Sequence, residues 1–536
     1  MSPYRSQRNA KQWPAWVGYT IAFFMPLALF ALTQTTRTFA DPDTFYHMKM
    51  ALLLKDRLLI RDFPWLPFTT LAQNFADHHY LYHLLLIPFE IVFGSIIGMK
   101  VATAVFASFA VLLFYTTLRV YRVRYPLWYT CMLVGSSGFV FRLNLGKATA
   151  LSVSVLLLSF IFWEKKQPWM LFALAWVYVW LYGGWPVLAV LAGSMVVGAT
   201  VVSFLEKPIQ NRKNFLDALR PNLSRCGAVL AGLATGVVIN PFFPNNLKFY
   251  WEQIVQIALL NYQQKIGVGS EWYPASFDTI LGGSTGAFVV FFIALFLLIS
   301  GIFWGRIFIA RRAFVLARMK IILGLFVLSV LFLALSLRSQ RHVEYFVPFF
   351  MLFASVLADT LLQSIDRQKL FSVIQHVFWK KRCAVTALFV YLFAAPIVLV
   401  FRSTSTTYNQ YQGGLPVTKY AATANWIRTH ISAGAVIFHS DWDDFPLLFF
   451  HDDTHRYIAG LDPTFFYRRD PVRYWQWVQI TTGATTSGAV QIAKQSFGAA
   501  AFMIEKKHSA MQGVIANDPA VRLAYEDNDA WVYLIQ

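Results

Sequence analysis

The sequence predicts an α-helical polytopic membrane protein that ends in a small α/β domain. Three observations carry that expectation. Of 536 residues, 57% are hydrophobic and only 14% are charged, against roughly 45–50% and 25% in soluble domains. The mean hydropathy is +0.49. The apolar residues fall in blocks of about bilayer length, and beyond residue 401 they give way to a more polar tail.

Within a bilayer each span must be helical, because lipid offers backbone groups no hydrogen-bond partner. Eleven spans are expected, near 13–33, 99–118, 126–141, 148–163, 168–183, 186–204, 226–243, 281–304, 319–337, 346–363 and 383–401. The block 81–98 is apolar enough to be a twelfth, but it carries His83, Pro88 and Glu90. The basic clusters choose between the two counts. Arg5, Arg8 and Lys11 precede the first span, and clusters at 119–124, 164–166, 207–225, 306–320 and 366–382 all fall on their side if 81–98 does not cross. Lys and Arg accumulate in cytoplasmic loops, so the N-terminus is expected in the cytoplasm and 81–98 is read as an interfacial helix. The formal charge of +19 has the same origin and does not point to nucleic acid. Cys131, Cys226 and Cys383 sit in or beside apolar blocks without C-x-x-C spacing, which indicates neither a disulfide framework nor a zinc site. The first apolar block is too long for a cleavable signal.

The chain then divides into a membrane domain, 1–401, with a long first extracytoplasmic loop at 34–80, and a soluble extracytoplasmic domain, 402–536. In this tail 435–439, 447–450, 456–459, 499–504, 521–525 and 530–535 read as strands. The stretches 417–430, 471–481, 489–496 and 509–516 read as helices, and Asp527-Asn528-Asp529 as the turn between the last two strands.

The richest polar site is Ala40-Asp41-Pro42-Asp43-Thr44-Phe45-Tyr46-His47 in the first loop. Proline at a helix start with an acid in the first turn is ordinary helix-start chemistry, and a capping role accounts for it equally well. On such a helix Asp43 and His47 share one face. At the far end of the loop stands Asp77-His78-His79-Tyr80-Leu81-Tyr82-His83, whose His79 and His83 are again four apart. That spacing suits a metal or a phosphate, and interfacial packing equally. A third group consists of Arg142 and Lys147 with Arg338, Arg341, His342 and Glu344. These cations lie on the face where few are expected, which makes them candidates for binding anionic headgroups or diphosphates unless they merely reach for the surface.

These residues resemble the polytopic GT-C-type glycosyltransferases, and more closely a largely uncharacterised bacterial membrane family with the same layout. The likeness rests on 40–47, Asp77-His78, 142–147, Gly184-Trp185-Pro186, Asn240-Pro241-Phe242, Glu271-Trp272-Tyr273-Pro274, and Ala424-Asn425-Trp426-Ile427 leading to Ser440-Asp441-Trp442-Asp443. It implies a polyprenyl-phosphate-linked sugar as donor, a catalytic carboxylate in the first extracytoplasmic loop, and residence in the bacterial inner membrane. Oligosaccharyltransferases of the class hold a divalent metal with that loop's acids, whereas protein mannosyltransferases use an Asp-Glu pair without one. Asp-Pro-Asp matches neither, so Mg or Mn bound by Asp41, Asp43 and Asp77 stays open. Asp441-Trp442-Asp443-Asp444 is similar to an acceptor motif of oligosaccharyltransferases but lacks its doubled Trp.

Under this reading Asp43, or Asp41, is the base that deprotonates an acceptor glycan, lipid or protein during inverting transfer. His47, Asp77, His78 and Glu271 orient the substrates, and Arg142, Lys147, Arg338, Arg341 and His342 receive the lipid phosphate. Membrane lipids complete the surroundings. Two other classes remain open: a transporter or flippase for a lipid-linked saccharide, which mid-span charges would favour, and a non-catalytic scaffold for envelope assembly. Among the tail's aromatics, Trp442, Tyr457, Phe465 and Trp475 serve either recognition or the domain core.

Overall fold

The structure, a computed structural model, describes residues 14–206, 212–303, 312–365 and 382–536. Arg5, Arg8 and Lys11 lie outside the described residues, as do parts of the basic clusters at 207–225, 306–320 and 366–382. The chain is a multi-pass helical membrane protein. Among the described residues, six helices are long and apolar enough to cross a bilayer: Ala15–Thr33, Ser95–Val120, Pro186–Leu205, Phe314–Arg338, Gln340–Ser364 and Val390–Gln412. Two bent pairs raise the number to eight if each counts as one span.

This is a coarser count than the eleven expected, and the differences have local causes. The block 126–141 is two helices, Pro126–Val134 and Ser137–Asn144, parted at Gly135-Ser136. The second of these turns by 113° into Thr149–Glu164. Pro168–Leu181 has 14 residues, a rise of about 21 Å against a hydrocarbon core of about 30 Å. Tyr80–Phe93 is equally short and ends at Gly94, where φ is +75°. The chain reverses there, so that a Cβ on Gly98 would stand 2.6 Å from the Phe89 carbonyl oxygen. Tyr80–Phe93 therefore folds back along the start of Ser95–Val120.

The first loop is tied to the C-terminal region by a two-stranded antiparallel sheet, β1 (Thr38–Phe39) with β2 (Leu415–Pro416). Lys100 fastens it from below, its ammonium donating to the carbonyls of Gln34, Thr36 and Thr38 at 3.1, 2.7 and 3.1 Å. Further along the loop, the Tyr457 amide donates to the Trp65 carbonyl and the Trp65 indole to the Asp453 carbonyl.

Residues beyond 420 build a five-stranded mixed sheet in the order β4-β3-β5-β7-β6. Its strands are β3 (Val436–His439), β4 (Arg456–Tyr457), β5 (Ala499–Glu505), β6 (Val521–Glu526) and β7 (Ala530–Ile535). β4, β3 and β5 run parallel, whereas β7 is antiparallel to β5 and β6. The expected strand at 447–450 is instead part of a helix, Asp444–His451. A short apolar run has no period that separates a buried helix from a buried strand, and here Asp444 and Pro446 in the first turn favour the helix. Its Phe445 and Phe449 pack against Phe63 of the first loop. One core therefore runs from the membrane helices through the loop into this side of the sheet, while Phe438, Phe466, Trp477 and Phe502 fill a second core on the other side.

Candidate active site

The N-terminus of helix Asp43–Arg57 opens into a cavity of about 550 Å³ between the membrane helices and the sheet domain. Asp41 has two tasks. Its Oδ1 accepts from the Asp43 amide at 2.9 Å, and its Oδ2 lies 2.8 Å from Lys147 Nζ. Asp41 thus holds the first turn through the Asp43 amide and faces a cation at the same time. Asp43 Oδ2 lies 2.8 Å from the same ammonium. Lys147 arrives there because the chain bends between Ser137–Asn144 and Thr149–Glu164. Only glycine fits the turn: a Cβ on Gly146 would stand 2.5 Å from Thr44 Cγ2.

A second ionic group forms the wall beside them. Glu271 shares its two oxygens between Arg341, at 2.8 Å, and Arg142, at 2.9 Å. Arg142 also binds Glu344, which is fully buried, through Nε at 2.9 Å and Nη2 at 2.5 Å. Tyr182 joins the group by accepting from Arg341 at 3.0 Å and donating to Glu344 at 3.3 Å. Burial would raise the Glu271 pKa, but Arg341, Lys147 and Arg142 overcome it and hold the carboxylate well below its usual range. Asp43 goes the other way. Burial and the Asp41 charge raise its proton affinity against the opposing pull of Lys147.

Behind Asp43 a smaller chamber of about 90 Å³ is lined by His47, His78, His79, Arg341 and Asp462. Here Asp77 does not face the acids. It accepts from His83 Nδ1 at 2.7 Å, and His83 Nε2 meets His47 Nδ1 at 2.8 Å. His78, His79 and Arg341 also close one end of an apolar groove of about 200 Å³, walled by Val187, Val190, Leu331, Phe332 and Leu335. His342 lines this groove, and His79 Nδ1 is buried there without a hydrogen-bond partner. Burial lowers the His78 pKa to about 4 and takes His79 well below its usual value, so both imidazoles are neutral.

Two sequence expectations change. Arg338 stands apart from the cavity, exposed and donating to the Leu259 carbonyl at 2.7 Å. One turn of chain separates it from Arg341, enough to point it elsewhere. The proposed metal ligands Asp41, Asp43 and Asp77 are not brought together either. Lys147 fills the place between the first two, Asp77 is engaged by His83, and no group of three His, Cys, Asp or Glu side chains among the described residues is arranged to hold an ion. The residues present do not fit a divalent metal.

Several site residues were not selected from sequence. The sheet domain contributes Asp443 and Asp462 to the cavity lining, beside Trp442, which the sequence offers for recognition or for the core. Burial, then the charges of Asp441, Asp43 and Asp41, raise the Asp443 pKa to about 8, and burial raises Asp462 to about 6. Asp462-Pro463 repeats the Asp-Pro step of Asp41-Pro42, with the Asp462 carboxylate capping the next helix. Tyr182 carried no signal.

Fold and cavity together define a class: a multi-pass helical membrane protein with a charged cavity roofed by a C-terminal α/β unit. A particular solved structure shares that architecture, the crystal structure of ArnT from Cupriavidus metallidurans in the apo state, with a TM-score of 0.54 and 13% identity over 97% of this chain and 98% of that one. At that identity the likeness is one of fold. No protein-family model matches the sequence, and neither does any curated protein.

Proposed function

We propose that this protein transfers a sugar from a polyprenyl-phosphate-linked donor to an acceptor at the extracytoplasmic surface of a bacterial inner membrane. The single observation that carries this reading is the convergence of Asp41 and Asp43 on Lys147 in one cavity, whose wall holds Arg142 and Glu271, with Arg341 paired to Glu271 in the adjoining chamber. The fold shared with ArnT is compatible with it. In the proposed orientation the N-terminus is cytoplasmic, an odd number of segments crosses, and the residues after helix Val390–Gln412 form a periplasmic domain above the cavity.

The polyprenyl chain occupies the apolar groove, and its phosphate sits at the end bounded by Arg341, His78 and His79. From there the small chamber leads to Asp43. Asp43 accepts the proton of the acceptor hydroxyl, whose oxygen forms a bond to C1 of the sugar. The bond from C1 to the phosphate oxygen breaks, and the lipid phosphate leaves with the electron pair. One direct displacement inverts C1. Negative charge moves from the carboxylate side to the phosphate side, and Lys147 and Arg341 are placed to follow it. Raised proton affinity suits Asp43 to the base role, because a base poised nearer neutrality shares the proton better in the transition state.

Asp43→Asn keeps the size of the side chain and removes its basicity. With the full chain in nanodiscs and a panel of radiolabelled polyprenyl-phosphate sugars, transfer is expected to fall by about 10²–10⁴-fold while donor binding persists. Transfer at the wild-type rate by this variant overturns the assignment.

A further inference from the structure

A third depression, of about 730 Å³, lies outside the acidic cavity, between the sheet domain and the segment 263–273. It falls within the roughly 300–1,000 Å³ of small-molecule clefts. Its walls come from separate elements. Trp475, on helix Pro471–Thr481, is 44% exposed, and Tyr273, after the short helix Ser270–Trp272, is 39% exposed. Tyr457 and Phe465, which the sequence offers as equal candidates for recognition, are instead buried in the core.

Polar atoms that make no hydrogen bond also line the groove. Gln263 Oε1 and His508 Nε2 are buried and make no hydrogen bond among the described residues. Both residues line the groove. His508 Nε2 is 3.7 Å from the nearest oxygens of Asp441 and Glu505, beyond hydrogen-bond range. Charges of both signs are present: Lys507 lies 2.7 Å from Glu505 and 3.7 Å from Asp441, while Lys265 stands over the Tyr262 ring. A groove with exposed ring faces and amide and imidazole atoms that make no hydrogen bond selects hydroxyl-rich matter. Sugars have that makeup, since their C–H faces pack on aromatic rings while their hydroxyls both donate and accept. A lipid chain would require the continuous apolar walls found in the other groove.

The depression also leads to the acids. Trp442 lines both it and the main cavity, and a Cβ on Gly269 would come within 3.5 Å of the Trp442 ring. We infer that this groove binds the sugar chain of a saccharide acceptor and that Trp442 marks its passage into the acidic cavity. The inference rests on the transferase reading for the word acceptor, but not for binding.

Binding is measured without donor, on the full chain in nanodiscs, by saturation-transfer NMR and calorimetry. The probes are neutral gluco-, galacto-, manno- and N-acetylglucosamine oligosaccharides of three to six units. At least one series is expected to bind, and Trp475→Ala or Tyr273→Ala is expected to weaken it at least tenfold. Trp475→Phe, which keeps a ring face, should stay within threefold, and Arg338→Ala, at an exposed side chain outside the groove, should bind like the wild type. No binding by any series overturns the inference, as does binding that survives Trp475→Ala with Tyr273→Ala, or displacement of the sugar by peptides alone. None of these outcomes bears on transfer by Asp43, which is read separately with donor.

Discussion

Lys147 and Asp43 meet at 2.8 Å, and the same ammonium lies 2.8 Å from Asp41, so a single cation balances two carboxylates at the mouth of the cavity. Replacing Lys147 by Met leaves two partly buried acids facing each other. Both side chains keep some solvent contact, so the expected cost is modest, about 1–3 kcal/mol of stability. The expected loss of transfer is larger, about 10²-fold, because the cation that follows charge to the phosphate is gone. Thermal unfolding and initial rates measured on the same preparation separate the two effects. Equal losses in Lys147→Met and Lys147→Arg would show that position, not charge alone, is required.

Arg338 and Arg341 differ by one turn and are expected to differ greatly in effect. Arg341 holds Glu271 and Tyr182 beside both the chamber and the groove, whereas Arg338 reaches a single carbonyl. Arg341→Ala should lower the transfer rate by about 10²-fold or more. Arg338→Ala should remain within threefold. Steady-state rates at saturating donor test the contrast, and comparable losses from both would remove the phosphate from the Arg341 end of the groove.

Stability should depend on pH through Asp443. Its folded pKa is raised to about 8, far above the roughly 3.9 of an unfolded aspartate. Between those values the folded protein holds a proton that the unfolded chain has lost, so stability falls as pH rises through the interval. Asp462, raised to about 6 by burial, adds to the slope in its lower part. Up to about pH 6.5 the buried neutral His78 and His79 act in the opposite sense, so the melting temperature is expected to decline from pH 7 to pH 8.5, and Asp443→Asn should flatten that decline. An unchanged slope in that variant would mean that Asp443 is already ionised at neutral pH.

Gly146 sets how closely the lysine turn approaches the acidic helix. In Gly146→Ala the new methyl meets the Thr44 methyl at 2.5 Å, and a β-branched side chain has little freedom to turn away. The expected cost is about 1–3 kcal/mol with at least a tenfold loss of transfer. Thr44→Ser in the same chain removes the clashing methyl and should restore part of both. Wild-type activity in Gly146→Ala alone would show that Lys147 need not sit so near Asp43.

Much of the site was visible along the chain because its parts are unusual for a membrane sequence. Asp41, Asp43, Arg142, Lys147, Glu271 and Arg341 are charges among apolar blocks; the structure gathers the first five around one cavity and sets Arg341, paired with Glu271, in the chamber behind it. What misled was local similarity. Four Asp-Pro steps, at 41, 462, 470 and 518, look alike in sequence, yet Asp41 and Asp462 line the cavity, whereas Asp470 caps an outer helix and Asp518 a surface turn. Asp77 has the makeup of a ligand, but a histidine two turns on has already engaged it. Trp442-Asp443 was noticeable as a pattern, without any sign that it would roof the cavity.

Membrane residence, a mostly helical course and an α/β tail follow from composition and period, since burial in lipid and strand alternation act on neighbouring residues. Partnership does not. Arg142 and Glu344 are 202 residues apart, and what joins them is the packing of a bent helix pair against a later span. Which acid meets which cation, which of two nearby arginines turns inward, and which aromatics stay in water depend on long-range closure, because a charge interacts with whatever the fold sets beside it.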